Sequence, residues 1–286
     1  DKRVDEFHYD SAYRVTGVDY DLGRVGAKRP HGGHNPLELA GEDFVFDGVN
    51  NRTSVTETTG AGRHQETKTT AYAVNSVNEY TSVGSLAQVH DAAGNLRSDG
   101  QFTYRYDFRN LLVELRENLT GRVTTYRYDA LGRRIGKAFL DRETCRVEQR
   151  RFVHDGARVL EERGSRESKE WVYGVGLDEP LRMVTRSRCG STALYYMQNA
   201  VGSVVALADR AGRVVERYQY RAFGEEVVTD AHGRRLCESA VGNPYRFQGR
   251  WKDFDEGSRL LYFRARYYDP EHGTFTSQDP IGGWGD

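Results

Sequence analysis

Aromatic residues recur at alternate positions along this chain, and each such group is followed by a turn signal. The sequence Tyr-Arg-Tyr-Asp occurs at 104–107 and again at 126–129, and looser copies lie at 7–10, 152–155 and 218–221. Because successive side chains of a β-strand point to opposite faces, both aromatic rings of each copy lie on one face of a strand. A unit that repeats in this way predicts an array of β-hairpins.

Turn chemistry supports the same prediction independently. Asp stands three residues before Gly at 91–94, 129–132, 209–212 and 230–233, and it stands three residues before Asn at 107–110. An Asp at the first position of a type I turn bonds to nearby backbone, and Gly or Asn at the fourth position tolerates the positive φ that returns the chain to a strand through a bulge. We therefore expect a hairpin tip at each of these five places.

The spacing of the repeats predicts the kind of sheet. The Asp markers at 91, 107, 129 and 155 are separated by 16, 22 and 26 residues, which argues against a solenoid with one fixed period. No long apolar stripe with helical period occurs. The chain has 18 Tyr, 12 Phe, 31 Gly and only 6 Pro, a composition that suits an aromatic core and many tight turns. The predicted fold class is all-β, an array of hairpins that forms a curved or spiral sheet.

Charge gives no sign of a nucleic-acid or membrane-surface protein. The 41 basic and 42 acidic residues leave a net charge of −1. Arginines alternate with aromatics at 126–128 and 262–268, which we interpret as solvated strand faces and cation–π pairs; the alternative is a stacking platform for RNA or DNA. No stretch approaches the ~18 apolar residues of a membrane span. The first residues resemble the end of a strand repeat, so we expect a longer parent protein.

Candidate metal, redox and cofactor residues are few. Cys145, Cys189 and Cys237 are far apart, form no CxxC spacing and allow at most one disulfide. His31 and His34 have a spacing compatible with metal binding, but no further ligand completes a site, and the segment 28–36 is predicted to be a loop. Glycine fingerprints for dinucleotides or phosphates are incomplete. The sequence therefore predicts no metal and no cofactor.

The C-terminal third carries the most specific motifs. They run from Asn-Pro-Tyr-Arg-Phe-Gln-Gly-Arg-Trp at 243–251, through 257–270, to Gly-Thr-Phe-Thr-Ser-Gln-Asp-Pro-Ile-Gly at 273–282. Together with the upstream tyrosine–aspartate repeats, they closely resemble the RHS-repeat-associated core domain of the RHS/YD-repeat family. That family includes bacterial polymorphic toxins, the C component of insecticidal toxin complexes, and animal teneurins. The resemblance covers most of the chain and divides it into a YD-repeat shell segment, 1–195, and a core segment, 196–286.

The resemblance implies a large sheet wound into a hollow cocoon, of which this chain is a part, with the core segment as a plug at one end. In bacterial members the cocoon encloses a C-terminal toxin domain of the same polypeptide and is cut from it by an intramolecular aspartyl protease. The implied partners are that toxin domain and a secretion or delivery machinery, with no nucleic acid. The implied location is secreted or at the cell surface, although no targeting signal is visible in the chain.

The resemblance also implies two site residues. Arg266 and Asp279 occupy the places of the family's important arginine and first catalytic aspartate. Two neighbouring carboxylates cannot both ionise, so one acts as an acid while the other activates water, and Arg266 would hold one of them in its charged form. The family's second aspartate lies in another Asp-Pro element further downstream. We therefore expect the 286-residue chain to be inactive as a protease by itself.

Other interpretations of these residues stay open. Asp269 and Asp279 both precede proline, and such residues also occur as simple turn residues. The tail 283–286 reads Gly-Trp-Gly-Asp, whereas many bacterial members carry Leu and further glycines there.

Three function classes follow from the sequence. The first is a shell that sequesters a toxin and is separated from it by autoproteolysis. The second is a teneurin-like cell-surface or extracellular binding scaffold without catalysis, which contacts carbohydrate or another cell. The third is a carbohydrate-active β-protein with paired carboxylates, for which the sequence places no suitable pair.

Overall fold

The computed structural model describes residues 4–20, 39–60, 62–141, 146–253 and 258–280. It has 55% strand and 2% helix, which confirms the all-β prediction. The chain divides into two compact units, Asp1–Val89 and His90–Asp286. The division predicted at 195/196 stays a prediction. The predicted loop at 28–36, with His31 and His34, lies outside the described residues.

The first unit is one seven-stranded antiparallel sheet in which every strand pairs with its neighbours in the sequence. A single 3₁₀ turn, Gly62–His64, precedes the fifth strand. The strands are β1 (Glu6–Tyr9), β2 (Val15–Asp19), β3 (Leu39–Phe46), β4 (Arg52–Thr59), β5 (Glu66–Val74), β6 (Tyr80–Val83) and β7 (Leu86–Ala87).

The second unit contains a 15-stranded antiparallel sheet, again in sequence order. Its strands are β8 (Val89–His90), β9 (Leu96–Ser98), β10 (Phe102–Tyr106), β11 (Leu112–Glu117), β12 (Val123–Tyr128), β13 (Arg134–Asp141), β14 (Arg146–Asp155), β15 (Arg158–Arg163), β16 (Glu167–Tyr173), β17 (Pro180–Ser187), β18 (Gly190–Gln198), β19 (Val204–Ala208), β20 (Val214–Tyr220), β21 (Glu226–Asp230) and β22 (Arg235–Leu236).

A small four-stranded antiparallel sheet follows the large one in the sequence. Its strands are β23 (Trp251–Lys252), β24 (Leu261–Tyr262), β25 (Tyr267–Asp269) and β26 (Thr274–Phe275), and a 3₁₀ turn, Phe247–Gly249, precedes them. Residues 243–253 and 258–280, which contain this sheet and the segment leading into it, are called the plug below.

Nine turns in the described part of the chain share one hydrogen-bonded form. In the turn that begins at Asp129, the carboxylate Oδ1 accepts the backbone N–H groups of Leu131 and Arg133 at 3.0 and 2.9 Å. Gly132 has a φ of 75° and donates its N–H to the Asp129 carbonyl at 3.1 Å. The other eight turns begin at Asp10, Asp47, Asn75, Asp91, Asp107, Asn199, Asp209 and Asp230. The five predicted hairpin tips are confirmed.

Consecutive antiparallel hairpins place alternate turns on the same edge of a sheet. In the described residues of the large sheet one edge consists of the turns 91–95, 107–111, 129–133, 155–158, 174–179, 199–203 and 221–225, called the turn rim below. Side chains of one turn reach the next: Arg109 Nη1 donates to the Asp129 carbonyl at 3.0 Å, and Arg133 Nη1 donates to the Gly156 carbonyl at 3.1 Å. These links tie neighbouring turns together.

The large sheet curves around the plug. Adjacent strands lie about 4.8 Å apart, so β10 and β20 would be separated by roughly 50 Å across a flat sheet. One short hairpin touches both regions: Tyr106 in β10 donates its hydroxyl to the Thr276 carbonyl at 3.1 Å, and Tyr268 donates to the Phe223 carbonyl, just after β20, at 2.9 Å. Tyr268 pairs directly with Phe275 in that hairpin. The sheet must therefore bend strongly, as the sequence predicted.

The concave face of this sheet supplies most of the core. Its buried side chains come from successive strands: Leu96, Phe102, Tyr104, Leu112, Leu115, Tyr126, Phe152, Trp171, Met183, Leu194, Val204, Leu207, Tyr218 and Val228. The plug contributes Tyr245, Trp251, Leu260, Tyr262 and Tyr267 to the same cluster. The plug therefore covers an aromatic surface that a single-layered sheet would otherwise expose.

The repeated tyrosines lie on this concave face. Tyr104 and Tyr126 are 1% and 4% exposed, whereas Arg127, between the two tyrosines of its repeat, is exposed on the opposite face. The second tyrosine of that repeat, Tyr128, donates its hydroxyl to the Leu112 carbonyl of the neighbouring strand at 2.7 Å. The interpretation of the alternating arginine at this repeat as part of a solvated strand face is confirmed.

The positive φ at the fourth turn position leads to a testable prediction. Replacing Gly132 by Val should destabilise the second unit by roughly 1–2 kcal/mol, because a side chain in the left-handed region clashes with its own backbone. Replacing Gly132 by Asn should cost much less, since Asn110 occupies the equivalent position with a φ of 59°. Urea unfolding curves of the two variants measure the difference. Equal losses would show that backbone strain at this turn is unimportant.

Candidate functional site

Arg266 and Asp279, the two site residues predicted from the sequence, form an ion pair. The Nη2 and Oδ2 atoms are 2.8 Å apart, and the Asp279 side chain is 46% exposed. The Arg266 guanidinium lies over the Phe275 ring, 3.8 Å from its centroid, where a cation–π contact limits its movement. The structure therefore brings the two residues together, and their catalytic role stays a prediction.

A tight turn positions Arg266. Phe263 donates its N–H to the Arg266 carbonyl, and Ala265 donates to the Phe263 carbonyl, each at 2.8 Å. Arg264, between them, has a φ of 65°, which is costly for a residue other than glycine. An ion pair between Arg264 and Asp178 offsets part of this cost. The turn that carries Arg266 is thus stabilised by its own backbone hydrogen bonds and by an ion pair with Asp178.

The segment that carries Asp279 is bound to the first strands of the large sheet. Leu96 donates its N–H to the Thr276 carbonyl at 2.8 Å, and the same carbonyl accepts the Tyr106 hydroxyl. Gln278 packs against Gly94, where an added Cβ would lie only 2.4 Å from the Gln278 Nε2 atom. Gly94 is therefore required both by its φ of 76° and by the close approach of the residue next to Asp279.

Asp269, the other aspartate before a proline, has a different environment. Its side chain is buried and accepts Arg259 Nε at 2.8 and 2.9 Å, while His272 Nδ1 lies 3.0 Å away. Burial alone would raise the pKa of this carboxyl, but Arg259 and His272 outweigh that effect and hold the pKa far below its usual value. It also accepts the Glu271 N–H at 3.0 Å, the bond expected of a turn residue.

A buried charge cluster around Asp253 joins the plug to the sheet. Asp253 lies against Arg134 and accepts Lys137 Nζ and Trp251 Nε1, each at 3.0 Å. The two basic residues belong to β13, more than a hundred positions earlier in the chain. Burial would raise the pKa of Asp253, but the two positive charges prevail and lower it to about 2. The Arg134 guanidinium also stacks on Tyr262, 4.4 Å from the ring centroid.

Two further charge clusters make the same kind of connection. Glu226 of β21 pairs with Arg246 at 2.9 Å and with Lys252 at 2.8 Å. Asp178 of the turn rim pairs with Arg250 at 2.8 Å and with Arg264. Sequence reasoning missed all of these pairs, because nothing in the local pattern indicates contacts between residues so far apart.

The chemistry available at the site is that of carboxylates and arginines. Within the described ranges, no group of three or more His, Cys, Asp or Glu side chains is arranged to hold a metal ion. Cys189 and Cys237 are free and exposed, and Cys145 lies outside the described residues. In the part of the chain that the structure describes, no helix is long and apolar enough to cross a membrane.

Comparison with known proteins identifies the family. The family model described as teneurin YD-shell matches residues 44–284, most of the chain. The chain belongs to the YD-shell family. The predicted membership of the RHS/YD-repeat family is thereby confirmed.

Relatives of this YD-shell chain include several toxins. It is 31% identical over 243 residues to the tRNA3(Ser)-specific nuclease WapA of Bacillus spizizenii. The aligned region covers 83% of the chain and 10% of that protein. It is 28% identical to double-stranded DNA deaminase toxin A of Burkholderia cenocepacia, over 96% of the chain and 20% of that protein. The chain thus spans a fifth or less of these relatives.

A solved structure supports the fold. The crystal structure of TcdB2–TccC3–Cdc42 superposes with a TM-score of 0.62 over 99% of this YD-shell chain and 16% of the matched chain, at 15% identity. At that identity the likeness shows the fold alone.

The Asp253 cluster yields a prediction about stability and pH. Replacing Asp253 by Asn should destabilise the second unit by about 3–5 kcal/mol at pH 7, because the buried charges of Arg134 and Lys137 would lose the carboxylate that they share. The folded pKa of Asp253 lies below its unfolded value of 3.8, so its contribution is complete above that pH and is lost as the pH falls towards about 2. The variant should therefore show a weaker pH dependence between those values, measured by urea unfolding at a series of pH values.

The matched control is Glu114→Gln. Glu114 pairs with Arg105 at 3.0 Å at the exposed surface of the same sheet, and losing that pair should cost less than about 1 kcal/mol. If the two variants lose the same stability, the buried cluster does not hold the plug in place.

Proposed function

We propose that this chain is part of a shell that encloses a toxin domain of the same polypeptide, and that Asp279 takes part in the cut that separates the two. The observation that carries the proposal is the Arg266–Asp279 ion pair, which joins two residues that are 13 positions apart. The strongly curved sheet and the toxin relatives support the role of a shell. A delivery machinery and an extracellular destination belong to the same proposal.

In the proposed reaction Asp279 is one of two carboxylates that share a proton. The protonated member donates to the leaving amine, while the other removes a proton from the attacking water. Arg266 stabilises the charged form of Asp279 through the 2.8 Å contact, and the Phe275 ring holds Arg266 in place. The partner carboxylate comes from a second Asp-Pro element further along the parent polypeptide. The partial exposure of Asp279 leaves room for that group and for water.

Asp269 is not proposed as the partner carboxylate. It is buried, and Arg259 and His272 bind its oxygens. A carboxylate whose pKa is held so low carries no exchangeable proton near neutral pH. Asp269 is proposed instead to hold β25 in place, and Arg266 is the residue directly before that strand.

The test uses the parent polypeptide with Asp279→Asn. Asn keeps nearly the same shape but neither gives nor takes the catalytic proton, so the variant should remain one uncut chain on a denaturing gel. Asp209→Asn is the matched control, because Asp209 is also a partly exposed aspartate paired with an arginine, Arg213, and this variant should be cut normally. Equal release of a C-terminal fragment from the parent and from Asp279→Asn would remove Asp279 from catalysis.

Arg266→Ala tests the second residue. It should slow the cut by roughly tenfold or more, because Asp279 would lose the 2.8 Å contact that positions its carboxylate. Arg266→Lys keeps a positive charge and should restore part of the rate, measured as the fraction of parent cut over time on a denaturing gel. A rate of cutting in Arg266→Ala equal to that of the unchanged parent would remove Arg266 from the reaction.

A teneurin-like binding scaffold is the second candidate, since the matching family model carries that description. It predicts that the parent is not cut at all and that the shell binds an extracellular ligand such as carbohydrate. Protease treatment of the parent distinguishes the two. An enclosed toxin domain should resist an added protease until the shell is unfolded, whereas a domain outside a scaffold should be digested at once.

A further inference from the structure

A cavity of about 560 Å³ lies between the turn rim and the plug within the second unit. Ligand pockets enclose roughly 300–1,000 Å³, so a cavity of this size holds a small organic molecule. The plug contributes Tyr245, Trp251 and Tyr262 to the wall, and the turn rim contributes Leu131 and Leu177. Neither the Arg266–Asp279 pair nor the Asp253 cluster lines the cavity, which is therefore separate from both.

One side of the cavity is a continuous row of aromatic rings. The rings of Tyr173 and Tyr245 lie edge to face with centroids 6.1 Å apart, and those of Tyr245 and Trp251 lie edge to face at 5.4 Å. All three residues line the cavity. Aromatic rings bind further rings in the same offset or edge-to-face geometry. This side of the wall therefore favours an aromatic ligand over an aliphatic one.

The cavity also carries an excess of positive charge. Three aspartates pair with the arginines that line it, and Asp178 serves two of them. The excess over these aspartates is two positive charges. The lining arginines are Arg109, Arg133, Arg158, Arg250 and Arg264.

Arg158 is the lining arginine without a carboxylate partner in the described part of the chain. Its Nη2 donates to the carbonyl oxygens of residues 174–176 at 3.0–3.1 Å, and its guanidinium lies over the Tyr173 ring, 5.5 Å from the centroid. Glu179 of the same turn instead accepts the Gly176 N–H at 2.9 Å. The Nε and Nη1 groups of Arg158 donate to no described residue. They are free to bind an anion at the end of the aromatic row.

The environment of Arg250 confirms that positive charge is in excess here. Burial lowers the pKa of this guanidinium below its ordinary value, and the proximity of Arg264 acts in the same direction. Asp178 raises the pKa, but not enough to restore it. A bound anion would reduce the repulsion between these two arginines.

We propose that this cavity binds a small aromatic carboxylate. The ring system of the ligand packs on Tyr173, Tyr245 and Trp251, and its carboxylate binds Arg158, since guanidinium and carboxylate form strong charge-assisted hydrogen bonds. The site goes beyond the proposed shell and its cut, because binding requires neither Asp279 nor a second aspartate.

Calorimetric titration of the 286-residue chain with 2-naphthoate tests the proposal. The matched neutral compound is 2-naphthalenemethanol, which has the same rings and no charge, and acetate has the charge without the rings. Naphthoate should bind about tenfold more tightly than the alcohol, because a hydrogen bond to a charged group contributes that much to affinity. Acetate should give no binding. Equal affinities for acid and alcohol, or no binding of naphthoate at about 1 mM, would overturn the proposal.

A variant of Arg158 tests the assignment of the carboxylate. Arg158→Gln removes the charge and should weaken naphthoate binding about tenfold while leaving the affinity for the alcohol nearly unchanged. Arg213→Gln is the matched control, because the Arg213 side chain is 81% exposed and lies on the opposite edge of the sheet, and it should bind naphthoate normally. If Arg158→Gln weakens acid and alcohol alike, Arg158 only shapes the wall and binds no carboxylate.

A second pair of variants leaves Arg158 and its contacts intact. Leu131→Glu places a negative charge at the cavity from a residue that is 78% exposed, so it should weaken naphthoate binding severalfold by repulsion. Leu119→Glu makes the same change at a residue that is 93% exposed on the other edge of the sheet, and it should have no effect. Equal affinities of these two variants for naphthoate would place the ligand outside the cavity.

Discussion

The structure depends on one constraint: a single-layered sheet has an aromatic face that must be covered. Fifteen antiparallel strands bring tyrosine, phenylalanine and tryptophan side chains to one face, and within the second unit the plug packs on them. Bending the sheet around residues of its own chain buries that face. The free energy of this burial grows with the apolar area removed from water. The plug therefore completes the core of the second unit, although it has few regular strands of its own.

Charge decides where on that face the plug lies. An aromatic surface by itself permits many arrangements, because apolar contacts have little directionality. A buried arginine such as Arg134 permits very few arrangements, since its charge must be paired with a carboxylate and its N–H groups must be hydrogen-bonded. Asp253 meets Arg134 and Lys137 of β13, and Glu226 of β21 meets Arg246 and Lys252. Pairs on different strands of the curved sheet thus fix the plug along its length.

The local parts of this fold were predictable from the sequence, and the long-range parts were not. A turn such as that at Asp129 is determined within five residues, because the carboxylate bonds to backbone two and four positions later. The turns at Asn75 and Asn199 were not predicted, because there an asparagine side-chain oxygen, in place of an aspartate carboxylate, accepts the backbone N–H group. The Arg134–Asp253 pair is different. It spans 119 positions, and which carboxylate meets which arginine depends on the finished curvature of the sheet.

The two Asp-Pro elements show that the same dipeptide can occur in two different environments. Asp269 ends β25 and Asp279 follows β26, and from the dipeptide alone both would be predicted to be turn residues. Asp269 is buried with Arg259 and His272, and these two partners bind its oxygens and hold its pKa far below the usual value. Asp279 meets Arg266 at a surface where about half of its side chain remains open. A carboxylate that must exchange protons needs this access, because a fully enclosed ion pair has no path for the proton or the water. Burial, which the dipeptide does not encode, therefore separates the structural aspartate from the candidate catalytic one.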